Sequence, residues 1–141
     1  MSNTKYWVIV ASKEHVQKGV REGFAQACHG KSAQLKKIKK GDYVLFYSSK
    51  DFFDKPDKCQ KFTAIGQAKD DLVYQFQMSE NFVPHRKDIN FLESKEVSIL
   101  PLINDLDFIE NKKSWGYPFR WGFFEIKEKD FNLISSNMII N

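Results

Sequence analysis

Apolar positions in this chain come in short bursts separated by polar punctuation, a rhythm that predicts many brief strands and few helices. Residues 6–11 (YWVIVA) are apolar at successive positions and rich in β-branched and aromatic side chains, which predicts a central strand covered on both faces. Ser12 then offers a hydroxyl to cap a helix, Glu14 suits its positive first turn, and Val16 and Val20 lie on one face. A short helix closing near Gly23 is the expectation. Gly41-Asp42 signals a turn before a second buried strand at 43–47 (YVLFY), and residues 48–60, polar and holding Pro56, predict a loop. Strand character resumes at 62–68 (FTAIGQA), where Gly66 marks a bulge or a close backbone approach.

The second half is less regular. Residues 70–84 admit a strand at LVYQFQM followed by irregular chain before Pro84, and 89–99 predict one or two strands. Pro101 suits a first helical turn, and Leu102, Leu106 and Ile109 share a face, so a helix is expected there. Residues 123–127 predict a final strand and 129–138 a closing helix. Short strands with a few helices, and no regular strand-helix-strand alternation, make an α+β fold on a curved or barrel-like sheet. No repeat or low-complexity stretch divides the chain, so 1–141 is expected to be one domain.

Composition narrows the class. A chain of 141 residues buries about 70% of the surface it exposes when unfolded, so no disulfide is required. Cys28 and Cys59 form no C-x-x-C pair and read as free thiols of a reducing cytoplasm. The first residues lack the apolar stretch of a secretory leader, and nowhere do about 18 apolar residues run together, so a cytoplasmic, membrane-free protein is expected. Net charge is +4, but its distribution says more: residues 31–40 (KSAQLKKIKK) hold five lysines and no acid. Such a run is a solvated face or a phosphate-contacting one. Aromatics are 15% of the chain, including thirteen Phe and three Trp. Most of these rings must be core, and a minority can serve as stacking faces for bases.

The common enzyme signatures are absent: G-x-S-x-G, the phosphate loop, G-x-G-x-x-G and H-E-x-x-H. Gly30-Lys31-Ser32 mimics the end of a phosphate loop, but Ala25 stands where its first glycine belongs. His15, His29 and His85 have no metal-ligand spacing with one another or with the cysteines, and neither metal nor cofactor is expected. A Cys28–His29 nucleophile pair would need a third partner, since adjacent residues rarely face each other. Two segments carry positive signal. Residues 24–31 (FAQACHGK) set a ring, an amide, an imidazole and a lysine around one glycine, and 115–123 (WGYPFRWGF) interleave rings with arginine and glycine. Each also reads as a turn packing its rings inward.

Taken in order, Tyr6-Trp7, Ala11-Ser12-Lys-Glu14-His15-Val16, Gly23-Phe24-x-Gln26, His29-Gly30-Lys31, Gly41-Asp42, Tyr47-Ser48, Phe62-Thr63-Ala64-Ile65-Gly66, Pro84-x-Arg86, Pro101-Leu102-Ile103 and Trp115-Gly-Tyr117-x-Phe119-Arg120 are similar to the bacterial and archaeal EVE-domain family. The similarity extends from about residue 6 to 138. One departure is Lys87, where that family often carries a second arginine; lysine lacks the planar fork. The resemblance implies a PUA-like fold, a curved mixed sheet flanked by short helices and related to the YTH readers of methylated adenine. It implies a non-catalytic, cytoplasmic reader, monomer or weak dimer, that holds a flipped modified base of DNA or RNA, 5-methylcytosine being one candidate. Combined with the aromatic and basic clusters, it assigns Phe24, Trp115 and Tyr47 to pocket walls and Ser12, Gln26, His29 and Ser48 to base edges. Gly30 and Tyr117 complete the ligand set, and Lys31, Lys36, Lys37, Arg86 and Arg120 are assigned to phosphates. The alternatives are a small-ligand or protein-interaction module using the same pocket, and a small hydrolase or transferase.

Overall fold

A computed structural model describes residues 3–52, 55 and 57–140. Eight strands and two helices follow one another as β1 (Tyr6–Val10), α1 (Lys13–Glu22), β2 (Phe24–Ala25), β3 (Tyr43–Lys50), β4 (Lys58–Ala68), β5 (Tyr74–Gln75), β6 (His85–Phe91), β7 (Val97–Ser98), β8 (Phe123–Ile126) and α2 (Glu128–Met138). Short 3-10 segments lie between these elements at Cys28–Gly30, Leu35–Lys37, Leu100–Asp105 and Tyr117–Trp121. The sheet runs β2-β6-β4-β3-β1-β8, with β1 parallel to β3 and every other pairing antiparallel. It curls into a half-barrel, the curved mixed sheet that the family resemblance implies.

Strand β1 is an interior strand, between β3 and the edge strand β8, and is buried on both faces as its apolar run predicts. Alternation sends Trp7 and Ile9 into a core with Val44, Phe46 and Ala64, and Val8 into a second core with Leu45, Tyr47 and Phe62 on the other face. The indole of Trp7 donates to Asp42 Oδ2 at 3.0 Å, and the same buried carboxylate accepts the backbone N–H groups of Lys5 and Lys39. One side chain in the Gly41-Asp42 turn thereby sets the start of β1 against the start of β3. At its other end β1 is fixed to the last turn before β8 by the Val10 N–H, which donates to Gly122 O at 2.9 Å.

Helix α1 begins as expected, with Ser12 Oγ accepting the His15 N–H at 3.3 Å, and ends at Gly23, whose φ of 81° is left-handed. Only one of the two expected valines faces inward: Val16 is buried, whereas Val20 is exposed and Gly19 takes the inward place beneath the carbonyl of Phe24. Gly66 is a close approach, lying where a side chain would strike Ile89 and Asn90 of the neighbouring β6.

Three sequence expectations change. The loop foreseen at 48–60 is shorter, because β3 continues to Lys50 and β4 begins at Lys58; Pro56 lies outside the described residues. Strand β6 starts at His85 rather than near Ile89, since backbone pairing with β2 and β5 overrides its polar sequence. The helix expected from Pro101 is a 3-10 segment, Leu100–Asp105, held by buried Leu102.

Candidate nucleic-acid interface

The curl of the sheet brings the chain just after β2 back beside the end of β1, and a small polar pocket of about 200 Å³ opens there. Val10, Ala11, Ser12 and His15 form one wall; Gln26, Ala27, His29 and Gly30 form the other. Its volume lies below the range of about 300–1,000 Å³ typical of drug-sized ligands and suits a single flat heterocycle.

Gln26 is the polar centre of this pocket. Arg86 Nε donates to its Oε1 at 2.7 Å, which settles the amide orientation and leaves the Nε2 donor without an acceptor among the described residues. Arg86 itself is 3% exposed, its guanidinium lying 3.7 Å from the ring centroid of Phe24 and 4.0 Å from that of Phe76. This two-ring clamp accounts for a buried cation with no carboxylate beside it. Among the described residues Arg86 Nη2 is buried without a hydrogen-bond partner. The pocket therefore presents donors backed by positive charge, to which the N-terminal end of α1 adds its dipole.

His15 lines the same wall, half-buried, and burial holds its imidazole below the ordinary value of 6.5, with Arg86 and Lys18 pushing in the same direction. It is neutral at pH 7 and offers one donor and one acceptor. Opposite it the backbone is strained: His29 has φ 60° and Gly30 φ 83°, two left-handed residues in succession. Gly30 packs so tightly on Pro84 that an added Cβ would sit 2.5 Å from the proline Cβ, and its carbonyl meets His85 Nδ1 at 3.2 Å.

Of the residues singled out from sequence, Ser12, Gln26, His29 and Gly30 come together here. The others do not. Phe24 is 2% exposed and spends its face on Arg86. Tyr47 is buried, stacked on Phe119 at 3.9 Å, and Ser48 is buried with its hydroxyl 2.8 Å from that of Thr63. Burial and these partners remove Ser48 from any base edge. Tyr47 and Trp115 instead border a second cavity of about 310 Å³, together with Ser49 and Gln60. A bulge shapes that cavity, since the register slips between Ser48 and Lys50, and Gln60 there has φ 56°. Phe24 and Trp115 thus do not face each other across one chamber.

The cations divide as well. Lys31, Lys36 and Lys37 are exposed, the last two on a 3-10 turn pinned by buried Leu35 and Ile38. Arg86 is enclosed, so its place is behind the pocket rather than on a phosphate-facing surface. Arg120 is exposed, 5.5 Å from the ring centroid of Tyr117. Lys87, the departure from the family pattern, is fully buried and donates to the carbonyl of Asp70 at 2.7 Å; burial lowers its pKa.

Sequence reasoning missed His15 as a wall residue, and it missed the arm at 72–83. Leu72, Phe76, Met78, Phe82 and Val83 are all exposed on that arm, and Phe82 leans toward Gly30 at the pocket rim. The alternation of LVYQFQM is a visible signal, but alternation alone does not say that the apolar side faces water. Among the described residues no three His, Cys, Asp or Glu side chains are grouped as a metal centre requires, and no helix is long and apolar enough to cross a membrane.

Comparison with known proteins agrees with this architecture. Residues 5–137 match the family model described as EVE domain. The chain is 44% identical over 133 residues to a UPF0310 protein of Mycolicibacterium vanbaalenii, covering 94% of this chain and 92% of the relative. It is 42% identical over 139 residues to the UPF0310 protein YdcG of Bacillus subtilis, covering 99% and 95%. Among solved structures, Rpa0253 from Rhodopseudomonas palustris superposes with a TM-score of 0.57 at 14% identity, covering 94% and 92% of the two chains. A hypothetical protein from Leishmania major gives a TM-score of 0.59 at 11% identity, covering 95% and 94%. These two likenesses establish the fold alone.

Proposed function

The chain belongs to the EVE-domain family, a group whose PUA-like fold is generally a nucleic-acid-binding one, and from that premise we propose that it is a non-catalytic reader of a single extruded, modified base. The observation that carries this reading is the Gln26 side chain, which lines a base-sized pocket while Arg86 holds its amide oxygen, so that its N–H groups are the part left to serve a base edge. Keto oxygens and ring nitrogens on the edge of a pyrimidine accept such donors, and Ser12 and neutral His15 stand close enough to share the edge.

Extrusion from a duplex costs a few kcal/mol, which stacking and edge hydrogen bonds must return. The exposed Phe76, Met78 and Phe82 on the arm beside the pocket supply apolar surface for that purpose, filling the gap the base leaves. Lys31, Lys36 and Lys37 supply phosphate contacts. A methyl on the base adds about 0.8 kcal/mol when buried, so preference for a methylated pyrimidine such as 5-methylcytosine is a several-fold effect.

Titration of oligonucleotides carrying one modified or one ordinary cytosine, in DNA and in RNA, tests the reading. Gln26→Leu should weaken binding of both the modified and the ordinary oligonucleotide while leaving the salt-dependent, sequence-independent component. Equal affinity of the native protein for every modified and ordinary oligonucleotide would overturn base reading. Binding of a free modified nucleoside as tightly as the oligonucleotide would favour a small-ligand module instead.

A further inference from the structure

The base-sized pocket is not the largest concavity. A third one, of about 590 Å³, lies against β8 and the 3-10 turn before it, walled by Phe108, Tyr117, Trp121 and Phe124 and edged by Glu110 and Glu125. Two of its rings are unusually open to solvent, Trp121 at 66% and Tyr117 at 54%. They meet at 87° with centroids 6.4 Å apart, so their faces form the corner of a box. Phe108 and Phe124, 5.4 Å apart, pack against each other and line the rest of it.

The charge of this concavity is opposite to what a nucleic acid needs. Glu110 and Glu125 are exposed, neither takes part in an ion pair among the described residues, and the lining holds no lysine or arginine; Arg120, outside the lining, has its guanidinium 5.5 Å from the Tyr117 ring centroid, so Trp121 is the cage ring with no cation against it among the described residues. Aromatic faces present the negative side of their quadrupole, so rings and carboxylates together repel an anion. A small metal ion would gain little from four hydrocarbon rings. A neutral apolar guest would leave both carboxylates uncompensated, whereas an alkylated ammonium is weakly hydrated, covers the rings with its methyl groups and pairs with the acids. The volume falls in the range of small-molecule sites.

We propose that this concavity binds a small organic cation, an alkylated ammonium head on an apolar body, with Tyr117 and Trp121 as the cage and Glu110 and Glu125 as counter-charges. The site is separate from the base pocket and does not depend on the reading given to it. Benzyltrimethylammonium is the probe, with the uncharged analogue that has carbon in place of nitrogen as its control. Binding is followed by the indole N–H resonance of Trp121, assigned by its loss in Trp121→Phe. Saturable shifts with the cation, at least tenfold weaker in the Glu110→Gln, Glu125→Gln double variant, are the expected result; both glutamates are exposed and their replacement leaves the fold intact. An equal response to the uncharged analogue, or none to either compound, overturns the proposal. So does a Trp121 shift that depends on protein concentration alone, because that would make the concavity a contact between two copies of this chain.

Discussion

Arg86 fixes the orientation of Gln26: from behind the wall of the small pocket its Nε–H donates at 2.7 Å to the oxygen of an amide that lines that pocket. The guanidinium is held there by ring faces on both sides, from Phe24 and Phe76. Lysine at this position keeps the charge but has neither the flat fork nor the stacking plane. Arg86→Lys should therefore cost about 2 kcal/mol of stability, the range for a buried hydrogen bond to a charged group, read from the urea midpoint. An unchanged midpoint would mean that the clamp contributes nothing.

Gly30 provides a backbone test. Its φ of 83° is costly for any other residue, and an added Cβ would press on Pro84. Gly30→Ala should destabilise by about 1–3 kcal/mol through left-handed strain and overpacking. Thermal unfolding measures the drop, and a variant as stable as the native chain would contradict the geometry.

His15 makes stability depend on pH. Burial lowers its folded pKa below the ordinary 6.5, so the unfolded chain binds more protons as pH falls through that value. Stability from this group is intact above 6.5 and declines as pH drops toward the folded pKa. The decline should begin before carboxylates titrate at about 4. His15→Gln should flatten that part of the curve, as followed by unfolding at a series of pH values.

Cys59 is predicted to be a sluggish thiol. Burial, then the neighbouring Asp51 and Glu96, push its pKa up to about 11. Since the thiolate is the reacting form, alkylation near neutral pH should run roughly ten- to a hundredfold slower than for a free cysteine. Mass spectrometry of a Cys28→Ser variant with iodoacetamide follows this thiol alone, and a rate equal to the free amino acid would be inconsistent with its surroundings.

The exposed lysines predict a salt effect. Replacing Lys36 and Lys37 by glutamine should weaken oligonucleotide binding and reduce the slope of log affinity against log salt by about 0.7–0.9 for each phosphate no longer neutralised. A slope equal to the native one would remove these side chains from the phosphate path.

What can be read from the chain alone is mostly local. The buried first strand and the Ser12 cap follow from neighbours a few residues away, where backbone periodicity is a sufficient guide, whereas Ser12, Gln26, His29 and Gly30 are singled out by the family resemblance combined with the cluster at 24–31. Arg86 cannot be placed that way, because its partner Gln26 is 60 positions distant and only the curl of the sheet joins them. The sequence puts Phe24 at a pocket wall, but a ring beside a pocket and a ring beneath an arginine have the same sequence signature. Val20 shows a smaller version of the problem: helical spacing pairs it with Val16, yet the carbonyl of Phe24 admits only a glycine on that side, so the helix turns Val20 outward. Ser48 and Tyr47 are masked by a bulge, which changes what a strand residue faces without altering its pattern.

The hydrogen bond from Val10 to Gly122 links a wall of the small pocket to the end of the turn that carries Trp121. Val10 lines the small pocket, and the carbonyl that receives its proton belongs to Gly122, next in sequence to Trp121. Hydrogen–deuterium exchange at this one peptide group should therefore slow when either concavity is filled, giving a single spectroscopic sentinel for two unlike guests.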